Sequence, residues 1–177
     1  ASTHQLGKAI VMPMDGFHYT RAELDKMDDP KLAHHRRGAE WTFDAKGLGD
    51  TLGRIKATTD SVPVPGFDHK LKDPTPNQYE ITPEHRIVVV EGLYLCLDKV
   101  KAWLPVAQHF HVRCFLYTSF DTCEKRIVPR HVHAGIAPDE SAALQRWLTN
   151  DKVNAQLIIE STDHQSIDIK ILTDEFV

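Results

Sequence analysis

The sequence predicts an α/β protein with a mostly parallel sheet. Apolar runs such as KAIVMPM (8–14) and RIVVVEGLYL (86–95) are typical of strands buried on both faces. Segments with helical spacing of apolar residues lie between such runs, and this alternation favours a parallel sheet covered by helices. The 177 residues suit one domain with a sizeable core, which we expect to span residues 1–177.

The first half of the chain predicts a strand, helices and a long loop. After the strand at 8–14, Thr20 and Glu23 have the spacing of a capping box and predict a helix start. The polar stretch 28–44 is predicted to be mostly loop, and 44–59 has helical spacing that its glycines weaken. The proline-rich stretch 61–83 is predicted to be a short strand followed by a long ordered loop.

The second half predicts two further strands and two long helical segments after the strand at 86–95. A short helix is expected to end near Pro105, and a strand to follow at 109–118. Ser119 and Gly135 mark the expected ends of a helix that Pro129 should kink. The remaining elements are a long helical stretch at 137–162 and a final strand at 166–172.

Composition excludes several classes of protein. The net charge is −4, which does not favour a nucleic-acid binder. The sequence contains no run of 18 apolar residues, so a membrane-spanning helix is not predicted. The N-terminal sequence lacks a signal-peptide pattern. The three cysteines have no CxxC spacing and indicate buried thiols in a reducing compartment. We therefore expect a cytoplasmic protein with no membrane partner, and self-association into a homo-oligomer is left open.

Two predicted strands end on a carboxylate followed by glycine, at Asp15-Gly16 and Glu91-Gly92. Ligands of parallel α/β sheets bind at the carboxyl ends of the strands, and glycine lets a ligand approach the backbone closely. Either acid alone could simply cap the next turn. Together they suit phosphoryl transfer, in which one acid accepts a hydroxyl proton and another holds Mg²⁺.

Two groups of arginines suit anion binding. Arg36 and Arg37 lie in HHRRG, which is either a solvated loop or a guanidinium site for a phosphate or carboxylate. Arg126 and Arg130 lie four residues apart on one predicted helix. They are either surface residues paired with acids or groups that close over a triphosphate and stabilise developing charge.

The loop around Gly66 and the histidines offer further candidates. Phe67, Asp68 and His69 could stack on and hydrogen-bond a substrate, or could belong to a purely structural loop. Pairs of neighbouring histidines at 34–35 and 131–133 suggest zinc, but their spacing fits a zinc site poorly.

The motifs VMPMDGFHY, AHHRRGAEWTFD, VPGFDHKLKDPTP, RIVVVEGLYL, RIVPRHVHAG and NDKVNAQLI occur in an order that resembles one family. It is the group of P-loop kinases that contains uridine kinase, phosphoribulokinase and bacterial-type pantothenate kinase, with most similarity to a fungal and bacterial branch. The resemblance covers residues 9 to 172. It implies a three-layer P-loop NTPase fold with a helical lid, here at 126–150, and the use of ATP and Mg²⁺.

The resemblance also implies roles for individual residues. Asp15 matches the general base towards the acceptor hydroxyl, and Glu91 matches the acid near Mg²⁺. The residues that match the acceptor side of the site are His18, Tyr19, Arg36, Arg37, Phe67, Asp68 and His69. The residues that match the lid and the supporting element after it are Arg126, Arg130, Asn150, Asp151 and Asn154.

The sequence departs from this family at the phosphate loop. No G-x-x-x-x-G-K-[ST] motif occurs in it, although Gly7 precedes Lys8. We expect the chain to begin in the helix after that loop, with the first strand and phosphate loop absent. It would then lack about 30 residues, the length of a βα unit. A fragment, a natural short form, or a strand supplied by a partner would each explain this.

The sequence favours an ATP-dependent phosphotransferase that acts on a hydroxyl of a nucleoside, a sugar or a vitamin-like acceptor. Without the phosphate loop, we expect this chain alone to be a weak or inactive catalyst. The alternative is a non-catalytic binding or regulatory module derived from the kinase fold. A third hypothesis, a metal-dependent hydrolase, would use the histidines and require zinc.

Overall fold

A computed structural model describes residues 8–174 of the chain. The chain divides after His109 into two compact units. A single kinase-like domain over residues 1–177 stays a prediction.

The first unit combines four strands and four helices within the described residues. Its strands are β1 Lys8–Pro13, β2 Val62–Asp68, β3 Asp73–Ile81 and β4 His85–Glu91. Its α-helices are α1 Arg21–Leu24, α2 Pro30–His35, α3 Ala45–Ala57 and α4 Leu104–Ala107. Two 3₁₀ turns, Met14–Phe17 and Glu40–Thr42, complete it.

Strands β1 and β4 pair in parallel and end together. Met12 lies opposite Val90, and Pro13 lies opposite Glu91. Met12 and Met14 are each 1% exposed and belong to the core of this unit. Val11, Ile87 and Val89 are 54%, 54% and 49% exposed. Because side chains alternate along a strand, these three form an uncovered apolar row on the other face of the pair.

The proline-rich stretch 61–83 forms an antiparallel hairpin of β2 and β3. The prediction of a single strand and a long loop is therefore wrong for β3. Pro63 and Pro65 lie two residues apart on β2, and Pro74 and Pro76 lie two apart on β3. Every second N–H of an edge strand points away from its partner, so prolines at this spacing need not interrupt the ladder.

Local capping rules account for most helix starts. The capping box of Thr20 and Glu23 is present at α1, and the Asp44 side chain accepts a hydrogen bond from Gly47 N at the start of α3. Pro105 lies in the first turn of α4, where proline is tolerated. The prediction that Pro105 ends a helix is therefore wrong. Helix α2, capped by Asp29, lies within the stretch predicted to be mostly loop.

The second unit pairs two parallel strands with a series of helices. The strands are β5 Cys114–Tyr117 and β6 Ile169–Leu172. The helices are α5 Phe120–His133, α6 Glu140–Arg146 and α7 Lys152–Ser161, and a π-helical turn, Trp147–Asp151, joins the last two. A 3₁₀ turn, His164–Ser166, precedes β6.

The predicted helix ends around α5 are confirmed. Ser119 caps its first turn, and Gly135 follows it with a φ of 65°. Helix α5 continues through Pro129. Parallel strand pairs together with these helices confirm the α/β class.

The structure also describes the helix lengths and the environments of the cysteines. Among residues 8–174, no helix has the length and apolar character needed to span a membrane. Cys96, Cys114 and Cys123 are free thiols, but the prediction that they are buried is wrong: Cys114 is exposed, and Cys96 and Cys123 are only partly buried.

Candidate active site

Asp15 lies in a tight turn at the carboxyl end of β1. The 3₁₀ turn Met14–Phe17 follows the strand directly, and the Asp15 side chain is 47% exposed. Gly16 lies against the backbone of β2, where a Cβ atom would overlap the carbonyl oxygen of Pro65. A Cβ atom at Gly92 would likewise overlap the Met14 side chain. Both glycines of the two acid–glycine pairs therefore allow close contacts that fix the turn carrying Asp15.

Glu91 ends β4 beside the strand that leads to Asp15, since Pro13 is its partner in the sheet. Partial burial raises the pKa of the Glu91 carboxyl, and the negative charge of Asp15 raises it further. The two carboxylates thus share one electrostatic environment at the carboxyl ends of neighbouring strands. Such a pair attracts a cation or a proton.

His18 follows the turn and is held on several sides. Its Nδ1 lies 2.9 Å from the backbone oxygen of Asp15 and 3.9 Å from Asp15 Oδ1. Its ring centroid lies 3.8 Å from that of Phe43 and 5.0 Å from that of Phe67. Burial lowers the pKa of His18 against the raising effect of Asp15, while the positive charge of Arg37 lowers it further. A neutral ring that donates from Nδ1 keeps Nε2 as an acceptor.

Arg37 holds three segments of the first unit together. Its Nη2 donates to Tyr19 O at 2.9 Å and to Asp73 Oδ1 at 2.8 Å, and its Nη1 donates to Lys72 O. The guanidinium carbon lies 5.7 Å from the centroid of the Phe67 ring. The Arg37 side chain is 16% exposed. These contacts show that Arg37 fixes the hairpin tip relative to Tyr19.

A cavity of about 420 Å³ opens at the β2–β3 hairpin. Its lining residues are Phe67, Asp68, His69, Lys70, Thr75 and Gln78. Asp68 Oδ1 accepts hydrogen bonds from the backbone N–H groups of Lys70 and Leu71, at 2.7 and 3.0 Å. The ring of Phe67 contacts those of His18 and His69, with centroids 5.0 and 5.3 Å apart. Phe67 therefore connects this cavity to His18, which follows the turn of Asp15.

Most of the predicted site residues in the first unit are thus brought together. Tyr19 N donates to Thr42 O at 2.9 Å, and burial raises the pKa of the Tyr19 phenol. Arg36 ends α2 as its C-cap. Lys70, Thr75 and Gln78 were missed, because a stretch interpreted as loop gives no strand register that would place their side chains at one cavity.

A larger groove of about 1030 Å³ lies along α3 and α4. Its lining contains small residues such as Gly49 and Gly53, together with Lys46, Arg54 and Lys101. None of the predicted site residues lines it.

The second unit holds the remaining predicted site residues. Arg126 and Arg130 are exposed on α5, and Arg126 Nη2 donates to Thr173 O at 2.9 Å. Within residues 8–174, the Arg130 guanidinium has no hydrogen bond or ion pair. Asn154 is 5% exposed on α7.

The histidines have other partners. His131 Nε2 lies 2.8 Å from Asp151 Oδ2, and His34 Nε2 lies 2.7 Å from Asp25 Oδ1. In the part of the chain that the structure describes, no three His, Cys, Asp or Glu side chains form a group that could hold a metal ion.

The sequence is similar to curated kinases over most of its length. The ATP-dependent kinase-like protein notR' of Aspergillus versicolor is 40% identical, over 84% of this chain and 88% of that protein. A candidate uridine kinase of Schizosaccharomyces pombe is 35% identical, over 89% of this chain and 68% of that protein. The chain belongs to the P-loop kinases of the uridine kinase group. No family model matches it.

Solved structures support membership of the uridine kinase group. YFH7 of Saccharomyces cerevisiae, a candidate P-loop kinase with a circular permutation, has a TM-score of 0.80 and 31% identity, over 94% of this chain. A candidate fructose transport system kinase from Silicibacter sp. TM1040 has a TM-score of 0.79 and 29% identity, over 93% of this chain. The chain spans 59% and 74% of those two chains.

Proposed function

We propose that this protein is an ATP-dependent phosphotransferase that phosphorylates a hydroxyl group of a small molecule. The observation that carries the proposal is the pair Asp15 and Glu91, which end neighbouring parallel strands and interact electrostatically. Membership of the uridine kinase group supports the same reaction class. The relatives named for uridine and for fructose make nucleosides and sugars the first acceptors to test.

Asp15 is the proposed general base. Its carboxylate is half-exposed and can accept the proton of an acceptor hydroxyl. His18, which bonds to the Asp15 backbone, contacts Phe67 of the hairpin cavity. Deprotonation then lets the acceptor oxygen attack the γ-phosphorus of ATP in line, as the bond to the bridging oxygen of ADP breaks. Gly16 allows the close contact with Pro65 that holds Asp15 in place.

The hairpin cavity is the proposed acceptor site. Phe67 offers a ring face, His69 and Lys70 offer donors, and Thr75 and Gln78 offer groups that both donate and accept. A volume of about 420 Å³ suits a nucleoside or a monosaccharide. Arg37 contributes by fixing the hairpin, since its guanidinium is already bonded to Tyr19, Lys72 and Asp73.

Glu91 fits a magnesium ligand. Mg²⁺ prefers oxygen ligands and is commonly bound by one or two carboxylates together with substrate phosphates. Glu91 is a carboxylate with a second negative charge, Asp15, close enough to raise its pKa. When bound, Mg²⁺ would neutralise charge that develops on the transferred phosphoryl group.

Arg126 and Arg130 are the proposed lid arginines. They lie four residues apart on α5 and therefore on one face of that helix. Guanidinium groups directed at a triphosphate would stabilise the charge of the transition state, and a closed lid would exclude water. We place Asn154 in a supporting role on α7.

The test is transfer of ³²P from [γ-³²P]ATP, with Mg²⁺, to uridine, fructose and a panel of other nucleosides, sugars and vitamins. In the full-length protein, Asp15→Asn should abolish transfer, while ATP binding measured by calorimetry is retained. Asp60→Asn, at an exposed acid elsewhere in the first unit, is the matched control and should keep the wild-type rate. Unchanged transfer in Asp15→Asn would refute the role of Asp15.

The same measurements separate the alternative function. If the full-length protein binds an acceptor but neither binds nor hydrolyses Mg-ATP, it is a binding or regulatory module rather than a phosphotransferase. Transfer at an ordinary kinase rate by the 177-residue chain would contradict our expectation of weak activity.

A further inference from the structure

Helix α5 has two distinct faces. Glu124 and His131 lie seven residues apart, which places them within about 20° of each other around the helix axis. Arg126 and Arg130 lie on a face roughly 130° away at the helical period of 100° per residue. One face of α5 is therefore anchored by other contacts of the second unit, and another presents the two arginines.

The anchored face is held by the two ends of the π-helical turn. Trp147 Nε1 donates to Glu124 Oε2 at 2.9 Å, and His131 Nε2 lies 2.8 Å from Asp151 Oδ2. Trp147 and Asp151 are the first and last residues of that turn. The two bonds hold α5 at points two helical turns apart. They therefore oppose both rotation of α5 about its own axis and tilting of α5 relative to the π-helical turn.

Trp147 and His131 are buried, and their two contacts are partly buried. Trp147 is 2% exposed and His131 is 5% exposed. A hydrogen bond to a charged group contributes more than a neutral one, and it contributes most where water is excluded. The π-helical conformation is rare and is found frequently at functional sites. A stable surface helix does not require either feature.

We propose that Glu124, His131, Trp147 and Asp151 are positioning residues that set the rotation of α5 and so direct Arg126 and Arg130. The inference rests on the proposed phosphotransferase function, in which these arginines stabilise the transferred phosphoryl group. It gives the π-helical turn a defined role, the positioning of α5, where the motif NDKVNAQLI implies only a supporting role for Asp151. A displacement of about 1 Å in a positioned group can lower a rate by about 100-fold.

The kinetic test uses the full-length protein with Mg-ATP and whichever of uridine and fructose accepts phosphate. Trp147→Phe keeps an aromatic ring but removes the N–H donor, and Asp151→Ala removes the acceptor for His131. Each should lower kcat by about tenfold or more while KM for the acceptor stays within about twofold, as for an interaction that acts in the transition state. Asp151→Asn keeps an acceptor oxygen and should restore most of kcat.

A double-mutant cycle identifies the residue through which Asp151 acts. If Asp151 positions Arg130, Asp151→Ala should lower kcat much less in an Arg130→Ala background than in the wild type. Lys125→Ala, an exposed change on the same helix, is the matched control and should leave kcat unchanged. Additive losses in the double variant, or a lower melting temperature with unchanged kcat, would overturn the proposal.

A spectroscopic test does not depend on catalysis. In a chain with its three cysteines replaced by serine, nitroxide labels at Arg130→Cys and Lys170→Cys report the distance between α5 and β6 by pulsed EPR. Trp147→Phe and Asp151→Ala should shift or broaden that distance distribution, whereas Lys125→Ala should not. An unchanged distribution would overturn the positioning role. Absence of phosphoryl transfer by the wild type, with the shift present, would refute only the proposed function.

Discussion

The carboxyl of Glu91 has a raised pKa, and the negative charge of Asp15 is one of its two causes. This relationship joins the ends of two parallel strands that are far apart in the sequence but paired at Pro13 and Glu91. It also allows a direct measurement of their proximity without any substrate.

Asp15→Asn should lower the pKa of Glu91 part of the way towards its ordinary value. Only part of the shift should be lost, because burial is the larger cause and remains in the variant. A titration of the Glu91 side-chain carboxyl followed by ¹³C NMR measures this. Asp60→Asn serves as the control, and a Glu91 pKa unaffected by Asp15→Asn would contradict the proposed pairing of the two acids.

His18 should make the protein less stable as the pH falls below about 6.5, the ordinary pKa of histidine. Because burial lowers the pKa of His18 in the folded state, the unfolded chain binds a proton at a higher pH than the folded chain does. Protonation therefore stabilises the unfolded state and lowers the free energy of unfolding. His18→Phe removes the titratable imidazole and keeps an aromatic ring against Phe43. Its free energy of unfolding should therefore vary less between pH 7 and the acidic range.

Chemical denaturation at a series of pH values checks this prediction. His111→Gln, at an exposed histidine, is the control and should keep the wild-type pH dependence that His18 causes. An identical slope in His18→Phe and the wild type would show that His18 titrates normally.

Gly16→Ala and Gly53→Ala should have opposite effects on stability. A Cβ atom at position 16 would overlap Pro65 O, so the turn or the hairpin must shift, and the loss should be about 1–3 kcal/mol. A Cβ atom at position 53 would lie 3.6 Å from His109 Cε1, an ordinary contact. Alanine within α3 should therefore raise the free energy of unfolding by up to about 1 kcal/mol.

Urea denaturation of the two glycine variants measures both changes. Gly16→Ala should also lower phosphoryl transfer beyond its effect on stability, since it moves Asp15. Equal stability of Gly16→Ala and the wild type would mean that the turn can relax without cost.

Arg37→Lys should destabilise the first unit by about 1–2 kcal/mol, although it keeps the charge. An ammonium group cannot reach Tyr19 O, Lys72 O and Asp73 in the way that the planar guanidinium does. Arg54→Ala is the control, since Arg54 is exposed, and it should change stability by no more than about 0.5 kcal/mol. Thermal unfolding of both variants decides whether Arg37 fixes the hairpin.

The fold could be predicted from the sequence where local physics determines it. The apolar strands β1 and β4, the capping box at α1 and the serine cap of α5 all follow from residue type and spacing. The prediction that these two strands are buried on both faces is wrong, since Val11, Ile87 and Val89 are exposed. Strand β3 could not be predicted, because five prolines in 61–83 outweigh the weak strand pattern in any local interpretation. Its prolines are tolerated because β3 is an edge strand, in which the N–H groups on the side away from β2 are not needed for pairing.

Some residues of the candidate site could likewise be predicted from the sequence, and others could not. Asp15 and Glu91 stand out because a charge at the end of an apolar run is unusual. Thr75 and Gln78 do not, since their contribution to the cavity depends on the register of β2 and β3. The bonds of Trp147 and Asp151 to α5 depend on a π-helical turn, for which no sequence rule exists.

The contact between Gly16 and Pro65 has a consequence for how the acceptor of this enzyme class could diverge. The hairpin touches the turn of Asp15 through its backbone at Pro65, whereas Lys70 and Leu71 at its tip are exposed and bond locally to Asp68. Side chains at the tip can therefore change without disturbing the turn that carries Asp15, the proposed base. Under the proposed function, new acceptors could be gained by substitution at the tip while the chemistry of phosphoryl transfer is inherited intact.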